Sequence, residues 1–143
     1  MYLLDINVLL ALCDEAHEFH EAAWTWFRPR RAQGWVTCPL TENGFLRILG
    51  HPAHPARLGS LEAAREILDG LCQSAGHRFW ADEVSVRDRS WFLELAQATS
   101  KTLTDAYLLG LAAMKKGCFA TFDRRVNVDV VTGGSRALEV ILR

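Results

Sequence analysis

Short apolar runs alternate along the chain with longer stretches in which apolar residues recur at every third or fourth position. The short runs predict buried strands, whereas the longer spacing predicts amphipathic helices. The predicted strands are Tyr2–Leu4, Trp35–Cys38, Phe79–Trp80, Cys118–Thr121 and Val128–Val131. The predicted helices are Ala16–Phe27, Thr41–Leu49, Ser60–Leu71, Ser85–Leu95 and Leu103–Lys116. Because strands and helices alternate, the pattern predicts an α/β fold whose parallel sheet carries helices on both faces.

Residues with special backbone preferences mark the ends of several elements. Ser60 has the side chain of a helix N-cap, and Ser85 with Asp88 has the S-x-x-D spacing of a capping box. The sequence 115–117, Lys-Lys-Gly, predicts a helix end at which the glycine takes the left-handed conformation. Two prolines in His51–Pro55 exclude a helix there and predict a loop.

The first long predicted helix carries an aromatic stripe formed by Trp24, Trp26 and Phe27. Five tryptophans in a chain of 143 residues is a high number, so the placement of these rings matters. A core position is the default interpretation, and an interface with a partner is the alternative.

Composition places the chain among compact globular domains. Its 143 residues are half hydrophobic and 23% charged, which excludes a disordered tail and predicts one domain over 1–143. The formal net charge of −1 excludes a protein that coats nucleic acid by bulk electrostatics. Any contact with nucleic acid must therefore be local.

The four cysteines are far apart in the sequence, and none has a histidine at a familiar metal-ligand spacing. We therefore expect no zinc site. The apolar start of the chain lacks the basic segment of a secretory leader, and no run reaches the roughly 20 apolar residues of a membrane span. These features predict a reduced, cytoplasmic protein without a membrane partner.

Acidic residues follow or flank the predicted strands. Asp5 and Asn7 come directly after the first strand, Asp123 follows the fourth, Glu42 opens the helix after the second, and Asp105 lies in the first turn of the helix before the fourth. Because parallel strands end at one edge of a sheet, these acids can converge. Clustered carboxylates need a shared proton or a cation, and hard oxygen donors favour Mg²⁺ or Mn²⁺.

Each acid also has a structural interpretation. Asp5 with Asn7 can turn the chain, Asp105 stands at capping-box spacing from Thr102, and Glu42 suits the first turn of any helix. Asp123 can be an ordinary turn residue. On a helical wheel, however, Asp105 shares its side with buried apolar positions, where an unpaired charge is costly. The joint pattern is more informative than any single member.

Four segments together resemble a PIN domain, and more narrowly the VapC-type toxin ribonucleases of bacterial toxin–antitoxin pairs. They are Leu3–Leu10, Thr41–Arg47, Thr104–Leu108 and Thr121–Arg124, and they occur in the order found in that family. The resemblance implies an α/β/α sandwich around a short parallel sheet of four to five strands. It also implies an endoribonuclease that requires Mg²⁺, for which Mn²⁺ can substitute, and that acts on structured RNA such as tRNA or rRNA.

The resemblance further implies roles for individual residues. The catalytic acids are expected to be Asp5, Glu42, Asp105 and Asp123. Of these, Asp5, Asp105 and Asp123 are expected to hold the metal. Asn7 and Thr121 match positions that support the site, and Arg47 and Arg124 lie on flanking segments from which they can bind substrate phosphate. The expected partners are RNA, a cognate antitoxin and a second copy of the chain in a homodimer.

Two other functions remain open at this level. The first is a haloacid-dehalogenase-like phosphatase in which Asp5 is the nucleophile, although position 7 is Asn and no Asp-Asp pair follows downstream. The second is a PIN-like module that binds RNA or a partner without cleavage. Trapping of a phosphoenzyme tests the former, and RNA cleavage with and without metal tests the latter.

Overall fold

A computed structural model describes residues 1–142 and contains a five-stranded, wholly parallel sheet. The strands are β1 (Tyr2–Leu4), β2 (Trp35–Thr37), β3 (His77–Phe79), β4 (Cys118–Thr121) and β5 (Leu138–Val140). Their order across the sheet is β3-β2-β1-β4-β5. Because the chain winds outward from β1 in both directions, the sheet has its switch point between β1 and β4.

Helices cover both faces of the sheet. They are α1 (Ile6–Cys13), α2 (His20–Phe27), α3 (Pro39–Leu49), α4 (Leu61–Cys72), α5 (Leu103–Met114) and the short α6 (Gly134–Ala137). Successive residues of β1 face opposite layers: Leu4 packs in the core beneath α1 to α4, whereas Leu3 packs in the core beneath α5. The predicted α/β/α sandwich is confirmed.

Helix α1 is the largest element that the periodicity did not predict. Its residues 8–12 are all buried, because α2 and α3 pack against it on the face that the sheet does not cover. A helix that is apolar all round has no stripe to detect. The next helix, α2, begins at His20 rather than at Ala16, and turns occupy the residues between α1 and α2.

Two other predicted elements are wrong. The helix expected over Ser85–Leu95 is a series of turns, in which Asp88 accepts from the Ser90 backbone at 2.9 Å and Ser85 accepts from the Arg87 backbone at 3.2 Å. Short polar side chains here bond to local amides in place of a helix. The strand expected over Val128–Val131 is a 3₁₀ turn, and the fifth strand lies at β5 instead.

The end of α5 also differs from the prediction. Lys116, and not Gly117, takes the left-handed conformation, with a φ of 55°. Gly117 is required for a different reason, because a Cβ atom at this position would lie 2.7 Å from the Trp80 ring. Its place in the sequence is explained by close packing between the α5–β4 turn and that ring.

The aromatic stripe of α2 belongs to the core. Trp26 is only 7% exposed, and its ring packs edge-on against Tyr2 at a centroid distance of 5.2 Å. Phe27 packs in the same way against Trp35 at 5.3 Å.

The Ser60 N-cap is confirmed by a 3.0 Å hydrogen bond that its hydroxyl accepts from the Ala63 amide. Within residues 1–142, no helix has the length and apolarity needed to cross a membrane.

Candidate active site

The carboxyl ends of β1 and β4 bring two of the predicted acids together at the switch point of the sheet. Asp5 directly follows β1 and is the N-cap of α1, and its amide donates to the Ala120 carbonyl of β4 at 2.9 Å. Asp123 lies two residues beyond the end of β4. Open parallel sheets place their ligands at this edge.

Asp5 is the most buried of the acids, with 6% of its surface exposed. The Thr121 hydroxyl donates to its Oδ2 at 2.6 Å, and the same hydroxyl oxygen accepts from the Asp123 amide at 3.1 Å. Thr121 therefore links the two acids, and its role as a supporting residue stays a prediction. Burial raises the pKa of Asp5, and the negative charge of Asp123 adds to this, while the Thr121 hydroxyl and the nearby amides of Ile6 and Asn7 oppose it.

Asp105 reaches the same place from the other face of the sheet. It lies in the first turn of α5, after a turn in which the Thr99 amide donates to the Thr102 hydroxyl at 2.9 Å. Burial and the negative charges of Asp5 and Asp123 together raise the pKa of Asp105 to about 6, while Arg125 acts in the opposite direction. The three carboxylates therefore interact electrostatically.

Asp123 is held by the arginine that follows it by two residues. The Arg125 amide donates to Asp123 Oδ1 at 2.8 Å, and its guanidinium contacts both carboxylate oxygens at 3.1 and 3.2 Å. The Arg125 side chain is 89% exposed, so this pair contributes little to stability. Arg124, which the sequence favoured as the phosphate ligand, shares the adjoining cleft with Arg125.

A cleft of about 520 Å³ is lined by Asp123 and by the two arginines that follow it. Asn7, His17 and Phe19 also line this cleft. Asn7 is exposed and lies in the first turn of α1, and its role in supporting the site stays a prediction. Sequence reasoning passed over His17, because a single histidine in a turn carries no recognisable motif.

Glu42 and Arg47 both belong to α3, and neither is among the residues that line this cleft. The Thr37 hydroxyl at the end of β2 donates to Glu42 Oε1 at 2.6 Å. Glu42 is half-buried at the end of the strand next to β1, and its role as a catalytic acid stays a prediction. Arg47 is exposed and lines a separate groove with His51 and Leu61, so the structure does not bring it to the cleft that Arg124 lines.

A second group of metal-ligating side chains lies around Glu42. One ligand atom each from Glu42, Cys72 and His77 lie within 4.8 Å of one another. Burial and, to a smaller extent, the Glu42 charge raise the pKa of the Cys72 thiol to about 11. The spacing of cysteines and histidines in the sequence does not reveal this group, because its members come together only in the fold. Cys72 and His77 are separated by four others in sequence and meet because the turn after α4 leads directly into β3.

The chain matches the PIN domain family over residues 2–130. It is 37% identical to Ribonuclease VapC44 of Mycobacterium tuberculosis over 134 residues, which are 94% of each chain. It is 40% identical to Ribonuclease VapC38 of the same organism over 127 residues, which cover 88% of this chain and 87% of the relative.

A solved structure has the same fold. The crystal structure of Mycobacterium tuberculosis VapC20, described as a Sarcin-Ricin loop cleaving toxin, superimposes with a TM-score of 0.62 at 14% identity and covers 92% of this chain and 97% of that one. This similarity supports the fold, and the sequence relatives place the chain more narrowly. With acids at the switch point of a parallel sheet and a family match over most of its length, the chain belongs to the VapC ribonucleases of the PIN domain family.

Proposed function

We propose that this protein is a metal-dependent endoribonuclease, the toxin of a toxin–antitoxin pair, and that Asp5, Asp105 and Asp123 hold its metal. The observation that carries the proposal is the placement of these acids: Thr121 bonds to both Asp5 and Asp123 at the switch point of the sheet, and burial together with the charges of those two acids raises the pKa of Asp105 to about 6. Like charges placed this close favour the binding of a cation. The relatives that bear the name ribonuclease support the choice of reaction.

The donor atoms suit a hard divalent cation. All three side chains offer carboxylate oxygen, the ligand that Mg²⁺ and Mn²⁺ prefer. When bound, such an ion supplies a water made nucleophilic near neutral pH and stabilises charge on the phosphoryl group. The Thr121 hydroxyl holds the Asp5 carboxylate in one orientation, so this acid is in place before RNA arrives.

Cations in the cleft provide the local charge that the whole protein lacks. Arg124 and Arg125 follow Asp123 and line the cleft with it. Because the Arg125 pair with Asp123 is exposed and weak, the guanidinium can leave the carboxylate and contact a phosphate. Arg47, on its separate groove, is proposed to contact a more distant part of the RNA.

Glu42 is proposed as the fourth catalytic acid. It follows β2, the neighbour of β1, and the Thr37 hydroxyl at the end of that strand fixes one of its oxygens. In this position it can orient the attacking water. The proposed substrate is structured RNA such as tRNA or rRNA in the cytoplasm, and the proposed partners are a cognate antitoxin and a second copy of the chain.

RNA cleavage by the purified protein tests the proposal. Wild type should cleave RNA with Mg²⁺ or Mn²⁺ and not with EDTA, and Asp5→Asn and Asp123→Asn should each abolish cleavage and growth inhibition. Asp69→Asn, an exposed acid of α4, is the matched control and should cleave like wild type. Sequencing of RNA ends after brief induction identifies the target.

Three outcomes would contradict the proposal. Cleavage by Asp5→Asn at the wild-type rate would show that Asp5 is not a metal ligand. RNA binding without cleavage in any metal would favour a module that only binds RNA. A trapped phosphoenzyme at Asp5 would favour the phosphatase.

A further inference from the structure

The cluster of Glu42, Cys72 and His77 combines three different ligand types from three elements. Glu42 is in the first turn of α3, Cys72 is the last residue of α4, and His77 is the first residue of β3. All three are half-buried, so they are enclosed but not sealed from solvent. Each lies next to a regular element, which limits the movement of its backbone.

The distances suit a small tetrahedral ion after a modest contraction. The ligand atoms lie within 4.8 Å of one another. Zinc bonds of about 2.0 to 2.3 Å place the ligands of a tetrahedral site roughly 3.5 Å apart, so side-chain rotation must close about 1 Å. A water molecule completes the coordination, as in zinc sites with three protein ligands.

Thr37 already organises part of this cluster. Its buried hydroxyl donates to Glu42 Oε1 at 2.6 Å and lies 2.8 Å from His77 Nε2. The His77 ring also packs against Trp35 at a centroid distance of 4.5 Å. Burial lowers the pKa of His77, so its imidazole is neutral at physiological pH and can act as a ligand.

The donor set separates this cluster from the carboxylates at the end of β1. Thiolate and imidazole prefer Zn²⁺ and related transition metals, whereas Mg²⁺ prefers oxygen. We infer that Glu42, Cys72 and His77 form a second metal site, selective for Zn²⁺ over Mg²⁺. Binding displaces the proton of the Cys72 thiol, since the thiolate is the ligand.

A zinc ion bound at this site uses the Glu42 carboxylate as a ligand. Zinc at the cluster holds the Glu42 carboxylate toward α4 and β3, and so removes it from RNA hydrolysis. This consequence, unlike the binding itself, rests on the catalytic role proposed for Glu42 above. Zinc bound here is therefore an inhibitor of the Mg²⁺-dependent reaction.

Cobalt substitution reports directly on a thiolate ligand. Metal-free, reduced, full-length protein is titrated with Co²⁺, and the near-ultraviolet charge-transfer band of a thiolate–cobalt bond is recorded. Zinc affinity is then measured by competition with a chromophoric chelator. The variants are Cys72→Ser and His77→Gln, each checked by circular dichroism. The controls are Cys118→Ser, a half-buried thiol of β4, and Asp5→Asn, which disables the carboxylate site.

The wild type and both controls should show the band and bind one equivalent of zinc. Cys72→Ser should lose the band, and both cluster variants should bind zinc about 100-fold more weakly or worse, since even loss of a residue behind a metal ligand costs 10- to 100-fold. Absence of the band in wild type, or its persistence in Cys72→Ser, would overturn the site. If either cluster variant fails to fold, the other decides.

RNA cleavage separates the two proposals. Zinc should slow Mg²⁺-dependent cleavage by wild type at concentrations that fill the cobalt-defined site, with each variant compared with its own zinc-free rate. A cobalt band without any effect of zinc on cleavage retains the site and refutes the role of Glu42. A cobalt band in a protein that never cleaves RNA retains the site and refutes the proposed function.

Discussion

Replacement of Asp105 by Asn is expected to stabilise the metal-free protein at neutral pH. The Asp105 carboxyl is half-buried in the first turn of α5, and this burial, together with the charges of Asp5 and Asp123, disfavours its ionised form. Asn has nearly the same shape and no charge. Asp105→Asn therefore removes a repulsion that the folded chain carries and the unfolded chain does not.

The magnitude follows from the difference in proton affinity. A pKa of 3.8 for a solvated aspartate and about 6 in the folded protein correspond to about 3 kcal/mol of unfolding free energy. Solvent screens part of this at a half-buried group, so we expect about 2 kcal/mol. For a chain of this length, that is roughly a 6 to 8 °C increase in Tm.

The pH dependence has a definite sign. Because the folded-state pKa of Asp105 lies above its unfolded value, the folded state binds a proton more readily. Wild type therefore loses this stability as pH rises from about 4 through about 6. Asp105→Asn should exceed wild type in stability at pH 7.5 and equal it near pH 4. Urea unfolding at both pH values in EDTA measures the difference, with Asp69→Asn as the exposed control.

With Mg²⁺ present, wild type should be more stable than Asp105→Asn. The cation stabilises wild type by binding its native state, while the variant has lost a ligand and gains less. The reasoning is refuted if Asp105→Asn is no more stable than wild type at pH 7.5 in EDTA. It is also refuted if the difference between the two proteins is the same at both pH values.

Four further substitutions test the site and the packing of the fold. Thr121→Val removes the hydroxyl that donates to the buried Asp5 carboxylate, and should lower the free energy of unfolding in urea by about 1 to 2 kcal/mol. The pH–rate profile of cleavage should move to higher pH, because the ionised form of Asp5 loses a hydrogen bond. An unchanged profile would contradict this. Gly110→Ala places a Cβ atom 2.5 Å from the Phe92 ring and should lower the free energy of unfolding by about 1 to 3 kcal/mol. Gly70→Ala has open space around the new Cβ atom and should raise the free energy of unfolding by about 0.5 to 1 kcal/mol. Trp26→Ala removes a buried ring and should lower the free energy of unfolding by about 3 to 5 kcal/mol. A small effect would contradict a core position for Trp26 and favour a role in binding a partner.

The acids could be placed from the sequence because each follows a short apolar run or shares a helix side with apolar residues. Asp5 follows β1 and Asp123 follows β4. The alternation of strands and helices predicts a parallel sheet, and these two strands do pair in parallel. The helical wheel predicts that Asp105 points inward, and in the structure it is half-buried on α5. These predictions depend only on local pattern and on one rule of sheet geometry.

Other features depend on contacts that local pattern does not contain. The strand β5 is half-buried and has Glu139 at its centre, and only its pairing with β4 makes it a strand. The pairing of Asp123 with Arg125 rather than with Arg124 is set by the conformation of the turn after β4. The approach of Cys72 to His77 likewise depends on how α4 docks beside β3.

The bond between Thr121 and Asp5 also determines when the enzyme becomes complete. It joins residues 116 positions apart, and β1, the first strand synthesised, is flanked by β4, the fourth. A nascent chain that ends before β4 has Asp5 without its hydroxyl partner and has no Asp123 at all. Since synthesis proceeds from the N-terminus, the growing polypeptide has no assembled set of acids until β4 and the turn after it have been made. The activity of the protein therefore begins only after β4 has been synthesised and has paired with β1.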